Sequence, residues 1–249
     1  MAKPRISYGK CFFCEKPFAK NTILRHLRAC PARKEAEASE KGETVRLFHL
    51  VVEGYHYPEY WMHIEIPASK TLLALDAFLR AVWVECCGHL SAFIIDNVSY
   101  ELNTGMVDAM WKDFFGPSRP TRSMDVKLYT VLKVGQKFLY EYDFGTTTVL
   151  LLKLVGERQG ILPKEEVRIL ARNYAPAFPC IKCGKPAEWF YVWASTFEPY
   201  CTGHMQRHKD SGEGFLPIVN SPRAGECGYT GPYDDRLVFE EHYVRPEKK

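Results

Sequence analysis

The chain begins with a run of cysteine and histidine residues whose spacing allows few folds. Two residues separate Cys11 from Cys14, and His26 and Cys30 follow with a spacing of four. A Cys-x2-Cys pair can sit on a tight turn, while residues four apart on a helix project from one face. Zinc takes four such ligands in a tetrahedron, so the run predicts a ββα-type zinc finger. A module this short has few apolar side chains, so metal binding is expected to stabilise it.

The residues between these ligands fit the same interpretation. Phe18 and Leu24 fall where such a finger keeps its small core, and Asn21 or Thr22 can cap its helix.

The finger region is strongly basic. Residues 1–34 contain nine Lys and Arg against one acid, a charge of +8, whereas the whole chain carries +3, so the remainder sums to −5. This asymmetry indicates an arm that meets a polyanion, and nucleic acid is the candidate. A face that is merely solvated, or that binds an acidic protein, is the alternative. The side chains predicted to contact nucleic acid are Lys16, Lys20, Arg25, Arg28, Arg33 and Lys34.

A second Cys/His run near the other end predicts a second zinc site. Cys180 and Cys183 form a knuckle in which Gly184 can take a positive φ, and Cys201 and His204 follow after a strand-like stretch. This order is typical of a zinc ribbon. His208 and Cys227 remain alternatives to His204 as the fourth ligand. Because four ligands close the shell, both zinc ions are expected to be structural.

The middle of the chain alternates between strand-like and helix-like patterns, which favours an α+β fold. Strands are predicted at 45–53, 60–66, 93–95, 98–102, 137–144, 147–155 and 167–172. Ser69 or Thr71 can begin a helix that Gly88 closes, and 106–115 is a weaker helix candidate. The predicted organisation is a finger (1–34), a linker (35–43), a central α+β domain (44–172) and a ribbon-like module (173–249).

The middle contains one group of residues that could carry chemistry. Cys87 and His89 could form a nucleophile pair, or bind a metal with Asp143. Packing is the favoured interpretation, because the adjacent Cys86 and Cys87 are expected to point in different directions and Asp143 suits a turn. The protein is therefore expected to be non-enzymatic.

Several compositional features bear on location. No stretch approaches the roughly 18 apolar residues that a membrane span needs. The polar start of the chain lacks the apolar segment of a secretory signal, so we expect a cytoplasmic protein without a membrane partner. Nine cysteines, several in metal-ligand spacing, indicate metal binding rather than disulfides.

Three stretches of the middle resemble the family named after the third open reading frame of plasmid pRiA4b, which is also known as insertion-element passenger proteins. They are Pro58-x2-Trp61, Trp83-x-Glu85-Cys86-Cys87-Gly88-His89 and Tyr140-x-Tyr142-Asp143-Phe144-Gly145. The resemblance implies a prokaryotic α+β domain, often near mobile elements, without a settled activity.

Together these features predict an accessory or regulatory protein that contacts nucleic acid through the finger. The central domain is expected to bind a partner protein or a second copy of the chain as a homodimer. A pure protein adaptor, for example of a nuclease or transposase, is the alternative, and an enzyme that uses Cys87, His89 or Asp143 is a further one.

Overall fold

The protein is described by a computed structural model that covers residues 7–102, 119–162 and 167–244. It divides into two compact units. The first comprises Met1–Leu79 and His89–Asn173, and the second comprises Arg80–Gly88 and Tyr174–Lys249. The helix predicted at 106–115 lies outside the described residues.

The first unit is built on one large mixed sheet. Its described strands are β1 Tyr8–Cys11, β2 Pro17–Ala19, β3 Val45–Gly54, β4 Trp61–Pro67, β5 Ser91–Ile95, β6 Val98–Glu101, β7 Thr121–Ser123, β8 Lys137–Tyr142, β9 Thr148–Gly160 and β10 Arg168–Asn173. They lie in the order β2-β1-β10-β4-β3-β9-β8-β5-β6-β7. All described pairs are antiparallel except β6 with β7. This large sheet with few helices confirms the α+β class.

The described helices are short. They are α1 Lys20–Ala29, α2 Pro31–Ser39, α3 Leu72–Leu79, α4 Leu128–Val131 and α5 Thr202–Met205, with a π-helical turn at Arg80–Val84 and a 3-10 turn at Asp235–Leu237.

Local sequence signals account for a turn of the sheet and for the start of helix α3. Asp96 and Asn97 both take positive φ, as the turn between β5 and β6 requires. Thr71 caps α3, because its Oγ1 accepts the Ala74 N–H at 3.3 Å. The chain then continues past Leu79 as the π-helical turn to Val84, so the helix ends before the predicted Gly88.

The finger region is part of the large sheet. β1 pairs with β10, where Gly9 lies opposite Asn173. A Cβ on Gly9 would stand 2.3 Å from the Arg172 carbonyl oxygen and 2.5 Å from the Trp61 ring, so only glycine permits this approach. The finger was expected to have a core of its own, yet Ile23 and Leu27 of α1 pack in one cluster with Trp61. Leu24, predicted for that core, is only partly buried.

The helical part of the finger also differs from expectation at both ends. Helix α1 begins at Lys20 after Ala19, without a side-chain cap, and the Thr22 hydroxyl donates to the Ala19 carbonyl instead. Helix α2 occupies much of the predicted linker and ends at Ser39. Glu40, which follows it, pairs with Arg168 of β10 at 2.5 Å.

The second unit contains a small antiparallel sheet. Its strands are β11 Trp189–Tyr191, β12 Glu198–Tyr200 and β13 Phe215–Pro217, with β11 in the middle. Phe190 is buried and packs against Phe178 and Phe197, whereas Tyr200 is buried and packs against Phe215. The unit also takes in Arg80–Gly88, which the sequence placed in the central domain.

No helix among the described residues has both the length and the apolar character needed to cross a membrane.

Two buried histidines lie side by side on β3 and β4. His49 Nε2 and His63 Nδ1 are 3.0 Å apart. Burial lowers the pKa of His49 to about 3, and the nearby charges of Arg33, Arg28 and Arg158 add to the effect. Burial likewise lowers the pKa of His63 well below its usual value, again with help from neighbouring charges. Both imidazoles are therefore neutral in the folded protein at neutral pH.

This pair is expected to make the first unit sensitive to acid. Below pH about 6.5 the unfolded chain protonates these histidines while the folded protein does not, so stability present at neutral pH is lost as the pH falls towards about 3. His49 alone accounts for about 2 kcal/mol between neutral pH and pH about 5. Denaturant unfolding at neutral pH and at pH about 5 measures this loss of stability, in the wild type and in the double variant His49→Leu/His63→Leu. Equal pH dependence in the two proteins would contradict it.

Candidate metal centres

The first predicted ligand set comes together in the structure. Cys11 ends β1, Cys14 lies in the turn that follows, His26 projects from α1, and Cys30 lies at the junction of α1 and α2. The ligand atoms of these four side chains all lie within 4.8 Å of one another. Cys14 Sγ is 3.4 Å from His26 Nε2. This cluster can hold a metal ion.

The packing around the first cluster holds its ligands in place. Cys11 and Cys30 are buried with Ile23 and Leu27, and the His26 ring stacks on Phe18 with centroids 3.7 Å apart. Burial raises the pKa of the Cys11 thiol to about 11 in the absence of a cation. A bound metal ion would reverse that effect, because it favours the thiolate.

The second predicted set also converges, near the other end of the chain. Cys180 and Cys183 flank a turn, Cys201 follows β12, and His204 lies in α5. Their ligand atoms again lie within 4.8 Å of one another. The Sγ atoms of Cys183 and Cys201 are 3.8 Å apart, far beyond the roughly 2.05 Å of a disulfide. His204 Nδ1 lies 3.6 Å from Cys180 Sγ and 3.3 Å from Cys201 Sγ.

The electrostatics of the second cluster favour a thiolate. Burial raises the pKa of the Cys180 thiol, but hydrogen bonds to the sulfur atom outweigh that effect. They come from the backbone N–H groups of Cys201, Lys182 and Cys183 and from the Cys183 side chain, and they lower the pKa of Cys180 to about 6. A thiolate is the form that binds metal.

The two Cys-x2-Cys turns share one backbone design. The Cys11 N–H donates to the Lys16 carbonyl at 3.1 Å, and the Cys180 N–H donates to the Lys185 carbonyl at 2.7 Å. The residue after the second cysteine takes a positive φ in both, 57° at Glu15 and 71° at Gly184. The sequence predicted this conformation at Gly184 but carried no glycine signal at Glu15.

Neither alternative to His204 lies in the second cluster. His208 packs among Tyr191, Tyr200 and Phe215, and its Nδ1 is 3.7 Å from an Asp210 carboxylate oxygen. Cys227 instead lies beside Cys87, whose Sγ is 3.9 Å from the Cys227 carbonyl oxygen. The sequence favours packing for the adjacent Cys86 and Cys87, and no local signal links them to Cys227.

Not every predicted basic residue faces solvent. Arg33 is buried, and its guanidinium donates to Glu65 at 2.5 Å and to Glu37 at 2.6 Å. Its assignment to the nucleic-acid surface was wrong for that reason. Lys20 is half-buried and pairs with Glu53 at 2.7 Å.

The other four predicted residues, Lys16, Arg25, Arg28 and Lys34, are exposed. Within the described part of the chain, Lys16, Arg25 and Lys34 form no ion pair. Arg28 donates to the Val155 carbonyl at 3.2 Å.

Asp143, one member of the group considered for chemistry, holds a turn. Its Oδ1 accepts the backbone N–H groups of Gly145 and Thr146 at 3.0 and 3.3 Å. Its other oxygen is 3.6 Å from His89 Nε2, and the His89 ring meets Tyr142 edge to face. This arrangement matches the turn role expected of Asp143.

Part of the chain is similar to known proteins. A family model described as plasmid pRiA4b ORF-3-like protein matches residues 48–166. No curated protein matches the chain. Among solved structures, a protein of unknown function from Methanosarcina mazei Go1 is similar at 19% identity and a TM-score of 0.42, over 51% of this chain and 68% of that one. Both terminal Cys/His clusters lie outside the family match. The middle of the chain is therefore similar to the plasmid pRiA4b ORF-3-like family.

Proposed function

We propose that this protein is a zinc-dependent, non-enzymatic accessory or regulatory protein that binds nucleic acid through the outer face of α1, in the service of a mobile element or a nucleic-acid-processing system. The observation that carries the proposal is a helix with one face in the core and the other face cationic. Ile23 and Leu27 are buried, whereas Arg25 and Arg28, three apart on the opposite face, are exposed.

Zinc is the ion that best fits the two terminal clusters. In a tetrahedral zinc site, sulfur atoms lie about 3.8 Å apart, and sulfur and nitrogen about 3.6 Å apart, given the usual bond lengths. The Cys183–Cys201 separation is 3.8 Å, and the sulfur–nitrogen separations run from 3.3 to 3.6 Å. Three thiols and one imidazole are a donor set typical of structural zinc.

Aromatic side chains lie on a loop attached to the finger. Tyr55 and Tyr57, in the turn between β3 and β4, are 53% and 49% exposed. Lys20 donates to the Pro58 carbonyl at 2.7 Å, and Ser7 donates to the Glu59 carbonyl at 3.0 Å, which ties this loop to the finger. Unpaired bases stack on exposed aromatic rings next to cationic grooves, so the surface suits single-stranded nucleic acid.

Charge reversal on α1 tests the proposal. The variant Arg25→Glu/Arg28→Glu is expected to weaken binding to a single-stranded oligonucleotide and to reduce the slope of log affinity against log salt by about 1.4, because two phosphate contacts are lost. Fluorescence anisotropy across a salt series measures both quantities with zinc-loaded protein.

The matched control is Lys133→Glu/Lys137→Glu, which makes the same charge change at and before β8. Strand β8 is separated from β1 by β10, β4, β3 and β9. Equal loss of affinity in both variants would mean that only net charge matters. Unchanged affinity in the α1 variant would contradict the proposal that this face of α1 binds nucleic acid.

A protein partner is the second candidate function, and the C-terminal unit carries the observation that favours it. Trp193 is 58% exposed there, and exposed tryptophan is enriched at protein interfaces. The candidates are a nuclease or transposase encoded nearby, or a second copy of the chain. Loss of a defined complex on Trp193→Ala would support this adaptor role, and a complex that persists would oppose it.

A further inference from the structure

We propose that the second unit contains a third metal site, formed by the thiols of Cys86, Cys87 and Cys227 and specific for a thiophilic ion such as zinc. The Sγ atoms of the three residues lie within 4.8 Å of one another. Cys86 and Cys87 follow the π-helical turn Arg80–Val84, and Cys227 comes from a turn far along the chain. The inference is independent of nucleic-acid binding.

The two segments that supply these thiols are joined by bonds that do not involve the metal ligands' sulfur atoms. The Ser221 hydroxyl donates to the Trp83 carbonyl at 2.6 Å, and the Tyr233 hydroxyl donates to the Cys86 carbonyl at 2.9 Å. Ser221 is buried. The convergence of the thiols therefore rests on a scaffold that exists without the ion, which reduces the entropy lost when the ion binds.

The backbone at Cys227 is held in a conformation that a cysteine adopts only under constraint. Its φ is +45°, in the left-handed region that is unfavourable for a residue with a Cβ. Gly225 and Gly228 on either side also take positive φ, at 89° and 72°. Such strain persists where the surroundings enforce it, and it is common at functional sites. Here it places the Cys227 thiol beside Cys86 and Cys87.

A buried arginine holds the first of these sulfur atoms. Arg223 is fully buried, and its Nη2 donates to Cys86 Sγ at 3.3 Å. Arg223 and Cys227 belong to the same stretch of chain, so this bond ties the Cys86 sulfur atom to the segment that supplies the third thiol. Three thiols placed so close together are a donor set that suits a soft cation.

The cysteine inventory supports the same conclusion. The chain has nine cysteines, three at each terminal cluster and three here. Every cysteine thus belongs to a group of three, and none is left as an isolated packing residue. Cys87 and Cys227 are exposed, whereas the terminal clusters contain the buried Cys11, Cys30 and Cys180. Solvent can therefore reach the third ion, and three thiolates leave a fourth position for water or another donor.

Metal stoichiometry tests the site. Zinc-loaded protein, freed of excess metal, is expected to carry three ions by native mass spectrometry, and Cys87→Ser/Cys227→Ser is expected to carry two. Under competition with a chromogenic chelator, one ion should leave the wild type ahead of the other two, and this early phase should be missing from the double variant. The matched control Cys183→Ser should lose a different ion and keep the early phase. Two ions in both the wild type and the double variant would overturn the proposal.

Thiol mapping on the wild type gives an answer that needs no variant. In zinc-loaded protein, Cys86, Cys87 and Cys227 are expected to resist alkylation and to become reactive when the early ion is removed. Rapid alkylation of all three in the loaded protein, or a disulfide between any two of them, would reject the metal site. Because these experiments leave α1 intact, they can fail while the nucleic-acid proposal stands, and the reverse also holds.

Discussion

Replacing Cys14 with serine is expected to release one zinc ion per chain and to lower the free energy of unfolding of the first unit by more than about 4 kcal/mol. Cys14 is less buried than Cys11 or Cys30, so the substitution removes a ligand with little effect on core volume. Loss of the ion frees α1 and β1, and with them the contacts of Ile23 and Leu27 in the core. Urea unfolding and hydrogen exchange of peptides from α1 and β1 measure the effect.

The control for this prediction is the equivalent change at the other end of the chain. Cys183→Ser should also release one ion, but increased exchange should then be confined to β11, β12 and β13. If Cys14→Ser released an ion and exchange within α1 stayed as slow as in the wild type, the finger would be stable without its metal. That outcome would refute the structural role of the first cluster.

Replacing Glu65 with glutamine is expected to lower the free energy of unfolding by about 3–5 kcal/mol. Glu65 is 1% exposed and accepts hydrogen bonds from Arg33 at 2.5 Å and from Arg158 at 2.7 and 2.8 Å. Glu37 also contacts both guanidinium groups, at 2.6 and 2.8 Å. Without the Glu65 charge, Arg33 and Arg158 share the partly exposed carboxylate of Glu37. The positive charge of the buried Arg33 is then no longer balanced by a buried negative charge.

An exposed ion pair on the same sheet provides the comparison. Arg46 and Glu157 pair at 2.6 Å, but their side chains are 48% and 38% exposed. Glu157→Gln should therefore change the free energy of unfolding by less than about 1 kcal/mol. Urea unfolding of the metal-loaded variants measures the difference. Equal effects of the two substitutions would show that burial does not govern the Glu65 network.

The Glu65 network also explains why the basic surface was only partly predictable. Within the sequence, Arg33 looks like Arg25 or Arg28, a cation in a basic stretch. Arg33 is on helix α2, and its partner Glu65 lies 32 residues away on strand β4. No local pattern links the two, because their contact depends on how α2 packs over the sheet.

The strands and turns of the middle domain were largely predictable, because their signals are local. Asp96 and Asn97, which separate the strands predicted at 93–95 and 98–102, both take the positive φ that a tight turn needs. Thr71 indicated the start of α3 and caps it. The start of α1 was wrongly placed, because the helix begins at Lys20 after Ala19, which has no side chain that could cap it.

The sequence by itself determined the two terminal ligand sets. Cysteines three apart and ligands three or four apart on a helix meet through the geometry of a single turn, so spacing alone brings them together. Only the tertiary structure decided that Trp61 completes the core of the finger, that Arg33 is buried, and that Cys227 joins Cys87 from 140 residues away. Contacts over such separations follow from the packing of the whole sheet and of the second unit, which no short window of sequence records.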